Sequence, residues 1–411
     1  MRDRLFPPPR LFRSRDAATA PAARRVHEIC NAASWRDMGL AQRIYAAALS
    51  LAWPVTAAAA SIPCLRRNAA AVTAMTGKSA MRQFREIVGL AFRHQISPRY
   101  YYMFEFYLAE RMRQAGNYLM RYETKEVAFR LLSPRDAASA ISIKNKIAFA
   151  GACAARGLPA VPLLAAFRDG AAVPEVGASL PPEIGVFAKR VLGKGGFGAS
   201  RWNWIGNGCY RSTTGEELSG PQLLEHLAKL SQREAYLVQP ALTNHAALRE
   251  LSVGALATVR VLTCRDLQGR FEVTNAVFRT SANPKSAVDN IHAGGIAAPV
   301  DLATGRLGPA SDLGRGPKFA WHDAHPVTGA PITGRVLPFW PETMALATRA
   351  HAAFAQWAVI GWDIAILDEG PLLIEANKGP DVDLIQRPSR GPIGNGRFGE
   401  LLADHLEQHR L

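Results

Sequence analysis

The chain has 411 residues, of which 48% are hydrophobic and 20% are charged, and its formal net charge is +15 at pH 7. This composition is that of a globular protein with two or three packing units, and it excludes collagen, wholesale disorder and a polytopic membrane protein. The five cysteines are scattered and never spaced as CxxC, so they favour a reducing cytoplasm over a disulfide framework or a zinc site.

The positive charge is concentrated in the first third of the chain. Residues 1–135 contain 22 Lys and Arg against 9 Asp and Glu, a net charge of +13, whereas residues 136–411 contain 27 against 25. Such an excess is typical of attraction to nucleic acid, to an anionic membrane or to an acidic polymer, or of solvated helix faces. No nucleic-acid-binding motif accompanies it, so we do not expect nucleic acid as a partner.

Residues 1–25 combine three consecutive prolines with many arginines and alanines and show no periodic apolar pattern. This composition predicts a disordered basic tail. The first fifteen residues also lack the apolar stretch of a signal peptide, so export is not expected. Residues 26–135 are expected to form a basic helical N-terminal region.

An uncharged stretch, Ile44–Leu65, is bounded by Arg43 on one side and by Arg66 and Arg67 on the other. Its 22 residues are enough to span a bilayer as a helix. Eight alanines, two prolines and three hydroxyl residues dilute its hydrophobicity. The alternatives are a membrane span, an interfacial anchor on an anionic membrane, and a buried helix.

From Ser79 to Arg130 apolar residues recur at helical spacing, which predicts a helical subdomain. Its aromatic cluster, residues 100–107, is expected to be core rather than a ligand-binding surface. After Ser133 and Pro134 strands and helices alternate, which predicts an α+β fold. The predicted elements are helix 145–156, strand 185–191, helix 221–231, strand 235–239, a hairpin of strands 257–264 and 271–279, and helix 341–357.

Two lysine motifs suit a polyphosphate. Lys144 and Lys146 open the predicted helix that ends at residues 157–159, and Lys189 lies on a strand that runs into a glycine-rich loop. An ammonium group beside the backbone N–H groups of such a loop can hold phosphates, although a flexible surface turn is the alternative. The glycines of this loop are Gly193, Gly195, Gly196 and Gly198.

The segment 361–377 consists of two apolar runs around an Asp-Glu-Gly-Pro turn, which predicts a β-hairpin. Asp363 and Glu375 are symmetric about residue 369 and are expected to face each other, and Asn377 follows Glu375 by two residues on the same face. Carboxylate and amide oxygens are ligands that Mg²⁺ prefers. The alternative is a sheet whose polar residues face water, but like charges opposite each other are costly without a cation.

The order of these motifs resembles the ATP-grasp superfamily over residues 136–411. The runs 258–261, 289–296 and 325–329 are most similar to the sugar-transfer-associated ATP-grasp family, whose members are similar to alpha-L-glutamate ligases. The resemblance implies two α+β lobes that clamp ATP. Residues 136–235 would form the first lobe with the glycine-rich loop, and residues 236–411 the second lobe with the metal-binding hairpin.

The resemblance also implies roles for single residues. The two phosphate-contacting lysines would be Lys146, with Lys144 as a competitor, and Lys189. Asp363, Glu375 and Asn377 would take the Mg²⁺ positions, with Mn²⁺ as a substitute. The remaining roles are the loop over the phosphates for Gly193, Gly195, Gly196 and Gly198, main-chain contacts to adenine for Val238 and Gln239, and charge stabilisation of the γ-phosphate for Arg260 and, more weakly, Arg279.

The ribose contact and the histidines fall outside these motifs. The acidic residue that the family uses for the ribose is absent from residues 240–248, which leaves Asn244 or His245 as substitutes. His322 and His325 form an HxxH without a third ligand, so zinc is not expected. His325 or His292 is instead a candidate substrate contact.

The function implied is an ATP- and Mg²⁺-dependent ligase that joins a carboxylate to an amine or thiol through an acyl phosphate. The family name points to cell-surface glycan or polysaccharide biosynthesis with glycan or small-molecule substrates. The alternatives are an ATP-grasp kinase that phosphorylates a hydroxyl and a non-catalytic ATP-binding scaffold at a membrane. The expected location is the cytoplasm, with the inner face of the membrane as the site of any peripheral association.

Overall fold

The computed structural model describes residues 7–11, 16–134, 143–193, 198–284, 286–289, 291, 294–314 and 321–409. Two seven-stranded sheets follow a helical N-terminal region. The predicted α+β class is therefore confirmed.

The N-terminal region consists of helices. They are α1 (Pro21–Arg36), α2 (Leu40–Thr76), α3 (Ala80–His94), α4 (Arg99–Met103), α5 (Ala109–Arg113), α6 (Arg121–Glu123) and α7 (Phe129–Leu131), with a 3₁₀ turn at Ala115–Asn117 and a π-helical turn at Thr124–Ala128.

The first sheet has the strand order β2-β1-β7-β3-β4-β5-β6, and α9 packs on it through Leu223 and Leu227. Helix α8 begins after Asn145, whose side chain caps it by accepting hydrogen bonds from two backbone N–H groups. The elements are α8 (Lys146–Ala154), β1 (Ala165–Arg168), β2 (Ala171–Ala172), β3 (Val186–Arg190), β4 (Ser200–Gly206), β5 (Cys209–Ser212), β6 (Glu217–Ser219), α9 (Gly220–Ser231) and β7 (Tyr236–Pro240).

The second sheet has the order β12-β11-β10-β9-β8-β13-β14, and the hairpin of β8 and β9 forms as predicted. Its largest core residue, Trp362, is fully buried and donates a 2.8 Å hydrogen bond to Thr263. The elements are a 3₁₀ helix (Ala246–Leu251), β8 (Thr258–Arg265), β9 (Phe271–Ser281), β10 (Gly295–Pro299), β11 (Ala310–Ser311), β12 (Trp321–His322), α10 (Trp340–Ala353), β13 (Val359–Leu367), β14 (Gly370–Asn377), α11 (Asp383–Gln386) and α12 (Arg397–Gln408).

Helix α1 corrects the predicted disordered tail. Its first residue is Pro21, whose fixed φ suits a helix start. Val26 and Ile29 belong to a core that they share with α12, and Ala20 N–H donates to the side-chain oxygen of Asn117 over 2.7 Å. The disorder prediction for residues 1–25 is therefore wrong for residues 16–25, while residues 1–6 and 12–15 lie outside the described residues.

Helix α2 is 37 residues long and continues through Pro54 and Pro63. It is long and apolar enough to cross a membrane by length and composition, with a mean hydropathy of 1.5 in its most apolar window, yet only 17% of that window is buried. The helix is therefore buried on one side only. Trp53 covers one side by packing on Ala91 of α3 and donating a 3.0 Å hydrogen bond to its carbonyl.

The N-terminal helices are part of the same packed body as the second sheet. The side chain of Gln386 in α11 exchanges two hydrogen bonds with the backbone of Leu119, at 2.8 and 3.0 Å. The fully buried Arg387 donates to the carbonyl oxygen of Met103 over 2.8 Å and lies 3.5 Å from Glu105. The aromatic residues 100–107 are buried beside these contacts, which confirms that they are core.

Candidate active site

The hairpin β13–β14 brings the three predicted metal ligands to one face. Asp363 pairs with Glu375 and Gly361 with Asn377, as the sequence pattern predicts. The turn is tighter than the predicted symmetry requires, because Leu367 pairs with Gly370. A β-bulge between Asp363 and Ile364 restores the opposition of the two carboxylates.

Two arginines already hold Asp363. Arg260 lies opposite Asp363 on the neighbouring strand β8 and binds both carboxylate oxygens, one of them over 2.9 Å. Arg279 lies 3.1 Å from the same carboxylate and 2.5 Å from Asp289. Burial opposes ionisation of Asp363, but the two guanidinium groups outweigh it and hold the pKa of its carboxyl well below the usual range.

The donor set suits a hard cation. Asn377 Nδ2 lies 3.5 Å from Asp363 Oδ2, and Glu375 is half-buried, with Oε2 3.9 Å from Lys146 Nζ. Two carboxylates and an amide are ligands of Mg²⁺ type, and a cation here would share the oxygens of Asp363 with the arginines. Among the described residues no group of three His, Cys, Asp or Glu side chains is suited to a metal ion.

Lys146 and Lys189 lie beside this hairpin face. Lys146 donates to the carbonyl oxygens of Gly193 and Val191, over 2.9 and 3.3 Å, and so ties α8 to the start of the glycine-rich loop. Burial lowers the pKa of Lys189 to about 8; Glu375 opposes this shift and the ammonium of Lys146 adds to it. The competitor Lys144 lines the same cavity but is exposed.

The glycine-rich loop requires glycine at both of its described ends. A Cβ at Gly198, which has φ +74°, would lie 2.5 Å from Arg190 Nε and 2.8 Å from the Tyr236 hydroxyl. A Cβ at Gly193 would lie 2.9 Å from that of Arg190. Gly195 and Gly196 lie outside the described residues.

In the structure the candidate adenine contact lies a few residues later in the chain than the predicted Val238. Val238 is fully buried between β1 and β3, and its carbonyl oxygen accepts a 2.9 Å hydrogen bond from Leu164 N–H, so it has no main-chain acceptor to offer adenine. Gln239 does line the cavity, and the next three residues, Pro240, Ala241 and Leu242, do too. The backbone at 240–242 is therefore the candidate adenine edge.

The residues predicted to contact the ribose or the substrate, Asn244, His245 and His325, form hydrogen bonds within the protein instead. Asn244 is buried, and its amide bonds the backbone of Ala257 in both directions, at 2.8 and 2.9 Å. His245 caps the following 3₁₀ helix by accepting from Ala247 N–H over 3.1 Å. His325 is buried and bonds the carbonyl oxygen of Ser281 over 3.0 Å, whereas His292 lies outside the described residues.

A cavity of about 1250 Å³ lies between the two sheets and the N-terminal helices. Its wall includes the lysines, both arginines, Gln239 and the hairpin ligands. Sequence reasoning missed its other wall, which contains Arg67 of α2, Arg121 of α6 and Lys125. The concentration of positive charge in residues 1–135 was the signal that pointed to this wall.

The two sheets with a lysine- and glycine-lined cavity between them define an ATP-grasp protein. A family model described as sugar-transfer associated ATP-grasp matches residues 130–391, and the chain belongs to this family. A sequence comparison with curated proteins finds no significant match.

Solved structures with a similar fold are distant in sequence. The L-amino acid ligase from Bacillus licheniformis is 10% identical, with a TM-score of 0.37, over 64% of this chain and 48% of that one. D-alanyl-alanine synthetase A from Vibrio cholerae is 13% identical, with a TM-score of 0.36, over 65% of both chains. VanG D-Ala:D-Ser ligase from Enterococcus faecalis is 13% identical, with a TM-score of 0.37, over 66% and 62%. This chain thus spans less than two thirds of each of these proteins.

Proposed function

We propose that the protein is an ATP- and Mg²⁺-dependent ligase that joins a carboxylate to an amine through an acyl phosphate. The observation that carries this proposal is the convergence of Lys146, Lys189, Arg260 and Arg279 on the face of Asp363 and Glu375 within one cavity. Four cations beside two carboxylates suit a triphosphate and the charge that develops when its γ-phosphoryl group moves.

The chemistry needs positioning more than a protein nucleophile. Lys146 and Lys189 would hold the phosphates, and the carboxylate oxygen of the substrate would attack the γ-phosphorus with ADP as the leaving group. Arg260 and Arg279 would stabilise the acyl phosphate, and an amine nitrogen would then displace phosphate and lose a proton. Mg²⁺, or Mn²⁺ in its place, would be held by Glu375, Asn377 and Asp363 and would neutralise phosphate charge.

The description of the family supports a class of substrate. Its description associates it with sugar transfer, which supports a glycan or acidic sugar as the carboxylate and a role in polysaccharide biosynthesis. Transfer of the γ-phosphoryl group to a hydroxyl and simple ATP binding are the competing outcomes.

An ADP-release assay separates the three outcomes. Purified full-length protein with MgATP is given acidic sugars, amines, neutral sugars, or acids and amines together, with Glu375→Gln as the control. ADP and phosphate release that requires an acid and rises with the amine supports the ligase. Release with neutral sugars without free phosphate shows a kinase, and no release in any arm shows a scaffold; both results overturn the proposal.

We further propose that α2 lies on the cytoplasmic face of an anionic membrane. At 100° per residue, Leu40, Ile44, Leu51, Val55 and Ile62 fall within an arc of about 60°, and all five are exposed. The arginines at positions 43 and 66 flank this stripe and match a negatively charged surface. The opposite side of the helix lines the cavity, so the helix would lie in the interface rather than cross it.

Vesicle flotation tests this contact. The wild type is expected to float with phosphatidylglycerol vesicles, less so at high salt, because salt screens the arginines but not the apolar contact. The double variant Leu51→Glu/Val55→Glu should stay in the soluble fraction, whereas Val327→Glu, at an exposed apolar residue far along the chain, should float as the wild type does. If the double variant floats as Val327→Glu does, α2 is not the membrane contact.

A further inference from the structure

The cavity is larger than one nucleotide requires. Pockets for a single small ligand measure about 300–1000 Å³, whereas this cavity measures about 1250 Å³. The lysines, Gly193 and residues 239–242 line the end of the cavity that the proposed function assigns to the nucleotide. The remaining volume extends from Arg260 toward the N-terminal helices.

The wall of this remaining volume comes mostly from residues that precede the family match at residue 130. Ala60, Pro63, Cys64, Arg67 and Asn68 lie on one side of α2, and Arg121 and Lys125 follow from the helical turns at 121–128. The wall thus lies mostly outside the part of the chain that the family model matches.

This wall carries a strong positive charge. Its cations outnumber its two acids, Glu126 and Asp381, by six to two; they are Arg67, Arg99, Arg121, Lys125, Arg130 and Lys378. Asp381 forms ion pairs with two of these cations, at 3.3 Å from Arg121 and 3.5 Å from Lys125. Within the described part of the chain, Arg67 and Lys378 form no ion pair, so their charges are available to a ligand.

The basic wall is continuous with the reacting end, because Lys125, Arg121 and Arg260 line the same cavity. Burial lowers the pKa of Lys125, Asp381 opposes that shift, and Arg121 and Arg260 add to it. Cations that repel one another across a cavity gain from a bound anion.

A buried amide oxygen adds a second requirement. Asn68 lines the cavity and is 5% exposed, and its Nδ2 donates to the carbonyl oxygen of Cys64 over 3.0 Å. Its Oδ1 accepts no hydrogen bond from the described residues. An unpaired buried acceptor is unfavourable, so a ligand with hydroxyl groups fits this wall better than a bare anion.

We propose that this half of the cavity is the acceptor site and that it selects an acidic sugar that also carries a phosphate or diphosphate ester. Arg67, with Arg121 and Lys125 beside it, would bind the phosphate, Asn68 would accept from a sugar hydroxyl, and the carboxylate would face Arg260. The inference rests on the proposed ligase function, because it assumes that ATP fills the other half. It names the substrate class of that ligase.

Calorimetric titration of the full-length protein tests the site without turnover. The nucleotide end is first filled with AMP-PNP and Mg²⁺, and each variant must bind AMP-PNP as the wild type does. Glucuronic acid 1-phosphate is then titrated, with glucuronic acid as the probe that lacks the phosphate. Arg67→Glu is compared with Arg66→Glu, which changes the same charge on the neighbouring residue of α2 that does not line the cavity.

The phosphate should strengthen binding at least tenfold in the wild type and in Arg66→Glu, and Arg67→Glu should abolish that preference. A gain below twofold from the phosphate, or equal losses in the two variants, overturns the acceptor-site inference. If AMP-PNP itself does not bind to the wild type, the proposed function fails first, so the two failures are distinguishable. A soluble sugar phosphate and a lipid-linked diphosphate share this chemistry, and repeating the wild-type titration with vesicles that carry a polyprenyl diphosphate sugar, against the same vesicles without it, separates them.

Discussion

The lowered pKa of Lys189 makes ATP binding depend on pH in a range where few other groups titrate. Burial lowers this pKa to about 8, against an ordinary value of 10.5. An ammonium group attracts the triphosphate, and a neutral amine does not. The contribution of Lys189 to ATP binding is therefore nearly complete at pH 7, about half lost at pH 8 and mostly lost at pH 9.

The size of the effect follows from the fraction of Lys189 that is protonated. With a pKa of about 8, roughly nine tenths of the side chain is charged at pH 7 and about one tenth at pH 9. ATP affinity should fall about tenfold between these values, which is ~1.4 kcal/mol. Phosphate groups ionise near pH 6, so the charge of ATP changes little across this range.

The assay is equilibrium binding of ATP at pH 7, 8 and 9 in EDTA, so that no divalent ion competes for Glu375. Lys189→Arg is the matched control, because a guanidinium stays charged across the whole range. Its affinity should be constant, whereas Lys189→Met should bind weakly at all three pH values. A wild-type profile as flat as that of Lys189→Arg would refute the placement of Lys189 at the phosphates.

Three further outcomes follow from the site. Asp363→Ala should lower the free energy of unfolding in urea by about 3–5 kcal/mol, because it leaves the buried guanidinium of Arg260 without a carboxylate and leaves Arg279 with Asp289 alone; unchanged stability would show that the pairing is not formed. Glu375→Gln and Asn377→Ala should abolish Mg²⁺-dependent turnover with melting temperatures near that of the wild type, and retained activity in both would remove the metal site. Asn244→Ala should destabilise the fold by ~1–3 kcal/mol without changing ATP affinity, whereas a loss of affinity alone would restore its ribose role.

Local patterns in the sequence were enough to predict the hairpin 361–377 and part of the other elements, whereas β1, β2, β4–β6, β10–β12 and α12 were not predicted. Alternating apolar residues around a turn place Asp363 opposite Glu375, and the structure confirms this pair. The bulge at Ile364 was not predictable, because it depends on how β13 pairs with both of its neighbours. The pair was thus predicted correctly, although the turn is centred between residues 368 and 369 and not on residue 369 as predicted.

The contacts of Asp363 and Val238 could not be read from the sequence. Arg260 is 103 residues from Asp363 along the chain, and only the register of β8 against β13 places them side by side. Val238 has the sequence pattern of a hinge residue. In the structure it lies between two strands, and its carbonyl oxygen already accepts a hydrogen bond from Leu164 N–H. Sequence spacing does not specify which strands become neighbours.

The role of the N-terminal region was the largest gap. Residue Leu119 meets Gln386 across 267 residues of sequence, and periodicity within a segment carries no information about such a partner. Charge and alanine content predicted a basic prefix with a disordered start. The structure instead makes part of this region a wall of the cavity, which Arg67, Arg99, Arg121 and Arg130 line.

The most direct test of the account is trapping of the acyl phosphate with hydroxylamine. Full-length protein, MgATP, hydroxylamine and a panel of phosphorylated and unphosphorylated acidic sugars are incubated, and hydroxamate is measured by its ferric complex together with ADP. The account predicts hydroxamate equal in amount to ADP in the wild type, the highest yield with a phosphorylated acid, and none in Glu375→Gln. ADP formation without hydroxamate, or a phosphorylated hydroxyl as the product, would contradict it.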